Sequence, residues 1–302
     1  MADSTNRMQP SIGHAAQQAP RAFRQINVHP ASGALGARVT GVDLNRLDYA
    51  GLGEIEQALF DHLVLFIRDQ TLSPAQQAAF ARRLGPLMVW PYAEAVPGQP
   101  EMTEVRFEPG DTFNFGGLWH SDSPNFQRPP MYTLLYCTQC PRIGGDTSYA
   151  NQYLAWETLS NGLKRTLGSL RAVNSLAQSQ GGIHEDDGIN ARSSTTLIFD
   201  PHTDQEMAHP VARRHPVTGR LALYVSRAFT VQFEGMTPQE SLPWLRYLWE
   251  HAVLPEFTCQ LHWEEGTLAL WDNRCTMHYA HNDHPNHRRV MRRMVIQGEL
   301  PE

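Results

Sequence analysis

The sequence predicts a mainly β fold with flanking helices, built as one sandwich or barrel. Two observations support this: apolar runs of strand length recur along the chain, and only a few stretches with helical spacing lie among them. We found no internal repeat and no interdomain linker. We therefore expect a single domain over residues 22–302, preceded by a mobile, polar tail over residues 1–21.

The first part of the domain shows strands and two helices. Two short strands separated by a glycine-containing turn are expected within residues 23–44. Apolar spacing predicts a helix over Leu52–His62, and the following HLVLFIRDQ predicts a buried strand. A second helix should open at Ser73–Gln76, where serine, proline and glutamine form a capping box, and end at Gly85.

The later part of the domain is dominated by strand-like runs. Residues 86–118 look irregular, and the segments MYTLLYCTQ, LALYVS, TLALWDN and RRVMRRMVIQG then predict strands. One helix is expected to interrupt them, beginning a few residues after Thr237 because Pro243 follows. The polar stretch 178–196 is a candidate lid that carries His184, Glu185, Asp186 and Asp187.

Composition excludes several protein classes. The chain of 302 residues is 41% hydrophobic and carries 25 Lys and Arg against 31 Asp and Glu, a formal net charge of −6. A mildly acidic chain argues against a nucleic-acid partner. The longest apolar run in its first half, Leu63–Ile67, is too short for a membrane span, and no apolar signal segment is present. Four cysteines indicate free thiols, so we expect a cytoplasmic protein.

A His-x-Asp pair is the strongest local signal of chemistry. In extended backbone the side chains of His120 and Asp122 point to the same side. One further histidine would complete a two-His-one-carboxylate triad, which leaves three positions open on an octahedral Fe(II). On its own the pair is weak evidence, and a surface histidine beside a solvated aspartate would be the preferred interpretation.

Arginines on the last strand provide a second signal. Arg289 and Arg293 share a strand face with Met291, whereas Arg288 and Arg292 should point the other way and be solvated. Two guanidinium groups facing a sheet interior require bound anions. A register shifted by one residue would put Arg288 and Arg292 inside instead, and the pattern alone leaves this open.

The chain resembles the taurine dioxygenase and phenoxyacetate-herbicide dioxygenase family of Fe(II)- and 2-oxoglutarate-dependent oxygenases. The resemblance runs from about Ile26 to Gln297. Its matching segments are GARVTGVDL, LFIRDQTLSPAQQAAFARRLGPL, WHSD, GGDT, WDNRCTMH and RRVMRR. It implies a double-stranded β-helix, a jelly roll of the cupin-like kind, with helices bracing one sheet. It also implies Fe(II), 2-oxoglutarate and O₂ as cofactors and co-substrates, and a dimer or tetramer.

The resemblance also implies site residues. His120, Asp122 and His278 would be the iron ligands. Arg289 and Thr147 would hold the distal carboxylate of 2-oxoglutarate, with Trp271 near the iron. Arg293 falls where relatives bind the anionic group of the substrate.

The chain departs from the taurine-binding pattern at two positions. A family histidine that helps to bind sulfonate is Trp90 here, and the taurine-binding asparagine is Gly116. These differences argue against taurine and for a larger or more apolar pocket with Trp90, Tyr92 and Phe115 as candidate walls. We expect hydroxylation, or cleavage after hydroxylation, of a small organic anion, a carboxylate with an apolar body. An alkyl sulfate or sulfonate is the alternative within the family.

Two other interpretations use the same residues. A zinc-dependent hydrolase or lyase on a cupin-like barrel could use the same three ligands, but it would leave Arg289 and Thr147 without a role. A non-catalytic binding member of the fold would require a lost ligand, and all three are present. His281, His284 and His287 lie in a polar turn and are expected at the surface.

Overall fold

The computed structural model describes residues 21–176, 188–198 and 206–302. Strands predominate, and two sheets pack face to face with helices outside them, which confirms a mainly β jelly roll with flanking helices. The candidate lid residues His184, Glu185, Asp186 and Asp187 lie outside the described residues, as does the expected tail except for Arg21. The domain limits 22–302 stay a prediction.

The strands and helices have the following bounds. The strands are β1 (Asn27–Pro30), β2 (Ala37–Thr40), β3 (Val64–Ile67), β4 (Leu87–Met88), β5 (Ala95–Val96), β6 (Gln99–Phe107), β7 (Tyr132–Gln139), β8 (Thr147–Asn151), β9 (Arg171–Asn174), β10 (Met207–Pro210), β11 (Ala212–Arg214), β12 (Leu221–Leu223), β13 (Thr230–Phe233), β14 (Thr258–Leu261), β15 (Leu268–Asp272), β16 (Thr276–Ala280) and β17 (Arg289–Ile296). The helices are α1 (Tyr49–His62), α2 (Pro74–Leu84), α3 (Gln152–Glu157), α4 (Asn161–Leu167) and α5 (Pro238–His251).

The larger sheet has the strand order β1-β2-β3-β15-β7-β17-β6-β5, with β4 also paired to β17. Its described pairs are antiparallel except for the parallel pair of β2 and β3. The facing, smaller sheet has the order β14-β8-β16, and β10-β9-β13 and β11-β12 form two further small sheets. Apolar side chains from both sheets meet between them, including Val64, Leu135, Tyr149, Leu261 and Met291. Burial of this layer holds the two sheets together.

Helices cover the outer face of each sheet. The core between α1, α2 and the larger sheet includes Ile55, Phe80 and Leu134. Helices α3 and α5 pack on the smaller sheet. The capping box of α2 is present, because Ser73 Oγ accepts from the Gln76 N–H and the Gln76 side chain accepts from the Ser73 N–H. No helix of the described ranges combines the length and apolarity needed to cross a bilayer.

Three local expectations were wrong. The stretch 86–118 contains the nine-residue strand β6. Its polar sequence, which includes Pro100, shows no strand pattern, and pairing along β17 stabilises it. Helices α3 and α4 were missed because each is too short to show periodicity. Helix α5 begins at Pro238, before Pro243, since its capping box fixes the first turn and Pro243 lies on its exposed face.

Candidate active site

Two backbone hydrogen bonds bring the His-x-Asp pair against β16. The His120 N–H donates to the His278 carbonyl at 3.0 Å, and the His278 N–H donates to the His120 carbonyl at 2.7 Å. The two imidazole rings are consequently 4.1 Å apart between centroids. His278 therefore meets His120 and Asp122, which lie more than 150 residues earlier in the chain, in one cluster whose ligand atoms lie within 4.8 Å of one another.

The donor atoms of this cluster fit a metal ion. The Nε2 atoms of both histidines lie 3.9 Å from Asp122 Oδ1. One ion with bonds of about 2.1 Å can span such separations. His120 Nδ1–H donates to the Leu118 carbonyl at 2.6 Å, which leaves the Nε2 lone pair facing the carboxylate. Burial lowers the pKa of both imidazoles, so they are neutral and able to act as ligands.

Neighbours orient the carboxylate of Asp122. Its Oδ2 accepts a hydrogen bond of 2.5 Å from Thr133 Oγ1, and Thr133 in turn accepts one of 2.8 Å from Asn273. Its Oδ1 lies 2.8 Å from Nη2 of Arg293. Burial alone raises the pKa of this carboxyl, but the Arg293 guanidinium, the largest opposing influence, holds the pKa well below its usual range. Asp122 is therefore an anion at any physiological pH.

The Trp271 side chain packs behind the cluster. Its ring centroid lies 4.7 Å from that of His278, and its Nε1–H donates to Asn273 Oδ1 at 2.9 Å. Asn273 also accepts the Asp122 N–H at 3.2 Å. Trp271 and Asn273 thus connect a histidine and the carboxylate of the cluster, so they restrict the motion of both side chains.

Arg289 is a buried cation without a carboxylate partner among the described residues. Its Nε–H donates to the Gly145 carbonyl at 3.1 Å, and its Cζ lies 5.7 Å from the Trp263 ring centroid. The Trp263 Nε1–H donates to Thr147 Oγ1 at 3.0 Å, so Trp263 links Thr147 to Arg289. Burial lowers the pKa of this guanidinium. An anion at this place would relieve the desolvation of the cation.

Arg293 lies between the metal cluster and an aromatic wall. Its Cζ is 4.8 Å above the Trp90 ring, and its Nη2 contacts Asp122 as described above. The Trp90 ring meets those of Tyr92 and Phe115 at centroid distances of 5.3 Å and 5.6 Å. The structure therefore brings the three predicted wall residues together beside Arg293.

The chain directly after the polar stretch 178–196 packs against this wall. Leu197, just beyond it, is buried with Ala93 against Trp90 and Phe115. Asp111 accepts hydrogen bonds from both the backbone and the hydroxyl of Ser194. These contacts place Leu197 at the aromatic side of the site and tie the residues before it to Asp111.

Four residues near the site were not predicted from the sequence. Thr133, Asn273 and Trp263 hold the residues described above, and the Phe229 ring lies 6.2 Å from that of His120. Asn273 lies within the matching segment WDNRCTMH, but no short spacing in the sequence marks Thr133, Trp263 or Phe229. Only the pairing of distant strands puts them at the site.

Two expectations about charged side chains were wrong. Arg292 does point away from Arg289 and Arg293, but it is buried, stacks on Tyr136 and donates to the Leu72 carbonyl. His284 is 2% exposed rather than at the surface, with its ring 4.6 Å from Phe107. His287 is exposed, as expected.

A second group of ligand-type residues, His215, Asp272 and Cys275, is also buried. The Asp272 carboxylate is engaged by Arg274 at 2.6 and 2.8 Å and by His215 at 2.9 Å. Its oxygens are therefore occupied, and the group braces the loop after β15. All four cysteines are free thiols, as expected.

Comparison with known proteins gives the same family as the motifs. The family model described as "Taurine catabolism dioxygenase TauD, TfdA family" matches residues 27–295. The chain is 33% identical to an alpha-ketoglutarate-dependent sulfate ester dioxygenase of Pseudomonas putida, over 94% of this chain and 93% of the relative. It is 30% identical to the (S)-phenoxypropionate/alpha-ketoglutarate-dioxygenase of Sphingobium herbicidovorans, over 91% and 96%.

A solved structure agrees with this result. The crystal structure of a taurine dioxygenase from Burkholderia xenovorans superposes with a TM-score of 0.77 at 34% identity, and it covers 92% of this chain and 93% of its own. The chain therefore belongs to the TauD/TfdA family of Fe(II)- and 2-oxoglutarate-dependent dioxygenases.

Proposed function

We propose that this dioxygenase oxidises a small organic anion with an apolar body, and that Arg293 binds the anionic group. The observation that carries this proposal is the position of Arg293, between the metal-ligating cluster and the aromatic wall of Trp90, Tyr92 and Phe115. A charged head held at Arg293 would leave the apolar body against these rings, close to the metal cluster. Family membership rules out the zinc-dependent hydrolase considered from the sequence.

The residues divide into three groups by task. His120, Asp122 and His278 would hold Fe(II), and the hydrogen bond from Thr133 fixes the orientation of the carboxylate. Arg289 and Thr147 would hold the distal carboxylate of 2-oxoglutarate, as a buried cation and a hydroxyl beside it. Trp271 restricts His278. Together, bound iron, 2-oxoglutarate and O₂ supply the oxidant that inserts oxygen into a C–H bond.

The relatives suggest which anions to test. One acts on sulfate esters and another on phenoxypropionate, and both substrate classes join an apolar body to an anion through an oxygen atom. Hydroxylation of the carbon that bears this oxygen gives an unstable product, in which the bond between that carbon and this oxygen then breaks. We propose cleavage of this kind, with a carboxylate as the first candidate and an alkyl sulfate as the second.

The test is a substrate panel on iron-loaded protein. Phenoxyacetate and hexyl sulfate are each supplied with 2-oxoglutarate, and succinate and the cleavage product are measured. In R293A we expect substrate binding to weaken about 10- to 100-fold, since charged hydrogen bonds contribute about 1.5–3 kcal/mol. Slow decay of 2-oxoglutarate without substrate should persist, because Arg289 is intact.

The control is R246A, in which an exposed arginine on α5 is removed. It should match the wild type. If R293A binds the accepted substrate as tightly as R246A does, Arg293 does not hold the anion.

A further inference from the structure

Ser123, directly after the ligand Asp122, has an unusual backbone. Its φ is +44°, in the left-handed region that residues other than glycine rarely adopt, and it is only 4% exposed. Pro124 follows it. Buried residues held in this conformation cluster at functional sites, where the surroundings enforce it. What the Ser123 side chain contacts is therefore informative.

The hydroxyl of Ser123 contacts the aromatic wall. Its Oγ accepts a hydrogen bond of 3.1 Å from the Nε1–H of Trp90. Edge contacts with Tyr92 and Phe115 hold the same indole from other directions. Trp90 is thus fixed in place, and its single N–H donor is used within the protein.

The face of this indole supports Arg293. The Arg293 Cζ lies 4.8 Å from the Trp90 ring centroid, in the range of a cation–π contact. On its other side Arg293 Nη2 contacts Asp122. Nη1 has no hydrogen-bond partner among the described residues. The guanidinium is therefore held at two points, with a donor left for an anion.

We propose that Ser123 is a positioning residue for the substrate anion. Its hydroxyl fixes the Trp90 indole, and the indole fixes the plane of the Arg293 guanidinium. Trp90 would thus act on the anion only through Arg293, because its N–H donates to Ser123 and is not available to the anion. The inference rests on the proposed function, in which Arg293 binds the anionic group. It explains why a strained serine sits next to a metal ligand.

The test uses a double-mutant cycle with S123A and W90F. Binding is measured by calorimetry, on protein loaded with Mn(II) and N-oxalylglycine. The probe is phenoxyacetate or hexyl sulfate, whichever binds the wild type more tightly. S123A should weaken binding about fivefold, equivalent to about 1 kcal/mol for one neutral hydrogen bond. W90F keeps a ring but lacks the N–H, so S123A should have no further effect in the W90F background.

Two more variants separate positioning from folding. S123G removes the hydroxyl but relieves the left-handed backbone, so its melting temperature should be at least that of the wild type while its affinity falls like that of S123A. S241A is the matched control, because Ser241 is also buried. Its hydroxyl accepts a hydrogen bond of 3.0 Å from the backbone N–H of Phe233, away from the site. It should change stability and leave probe binding unchanged.

The outcomes distinguish this inference from the proposed function. If the effects of S123A and W90F multiply, or if S123G binds the probe as the wild type does, Ser123 does not act through Trp90. If R293A itself leaves probe affinity unchanged, or neither probe binds the wild type, the proposed anion site is wrong. A loss in R293A without a loss in the Ser123 variants overturns this inference alone.

Discussion

Thr133 shows how a single hydroxyl can control the candidate metal site. It donates to Asp122 Oδ2 at 2.5 Å and accepts from Asn273 at 2.8 Å. T133V keeps the side-chain shape but leaves a carboxylate oxygen without its donor. Partners of this kind typically contribute 10- to 100-fold to metal affinity, so we expect Mn(II) to bind about 10- to 100-fold more weakly.

The measurement is a Mn(II) titration followed by electron paramagnetic resonance. T230V is the control, since Thr230 is a buried threonine that donates to Asn174 outside the site. Equal Mn(II) affinities in T133V and T230V would remove Thr133 from this role.

For single residues, spacing in the sequence predicted the position of some side chains near the site and missed that of others. Alternation along one strand correctly placed Arg289 and Arg293 on one face, because side-chain direction in a strand is a local property. The same rule could not predict that Arg292 is buried, since this depends on Tyr136 from β7 and Leu72 before α2. Partners from distant segments leave no local pattern.

At the scale of elements, the turn between β7 and β8 positions Arg289. Gly145 has a φ of +69°, and a Cβ there would lie 3.2 Å from Arg289 Cδ and 3.3 Å from His284 Nδ1. In G145A the added methyl pushes against the arginine. We expect binding of 2-oxoglutarate to weaken by about tenfold, which corresponds to about 1.4 kcal/mol. An anaerobic titration of the Fe(II) protein measures this through its charge-transfer band.

Gly219 provides a matched control for this turn. Its φ is +70°, but a Cβ there would meet no atom within 4 Å beyond its chain neighbours. G219A therefore introduces the same backbone strain without the contact, and it should bind 2-oxoglutarate normally. A similar loss in both variants would show that strain, and not crowding of Arg289, is responsible.

Elements with strong local signals were predictable. Helix α2 has its capping box, and the strands β7, β15 and β17 are apolar runs. Strand β6 is different, because its polar sequence forms a strand only through register with β17, where Arg289 lies opposite Phe107. Pairing between distant segments therefore determined the elements that the sequence did not reveal.

For the whole molecule, buried histidines make stability depend on pH. His209 is 1% exposed and its Nε2 lies 2.9 Å from the Phe126 carbonyl. Burial lowers its pKa to about 4. His62, His251 and His284 also have pKa values lowered by burial. These side chains are neutral in the folded state at pH values where the unfolded chain would protonate them.

The difference in histidine pKa between the folded and the unfolded chain determines how stability changes with pH. The unfolded chain takes up a proton on His209 near pH 6.5, whereas the folded protein does so only near pH 4. The free energy of unfolding should therefore fall as the pH drops from about 6.5 to 4, by at most about 3 kcal/mol for His209 alone, and stay constant for this group above 6.5. Denaturant unfolding at several pH values measures this free energy.

The variant H209Q, whose amide can still donate to the Phe126 carbonyl but does not titrate, should show a shallower fall of the free energy of unfolding. H287Q, at an exposed histidine, should follow the wild type. Parallel curves for H209Q and the wild type would mean that His209 contributes nothing to the acid sensitivity of the fold.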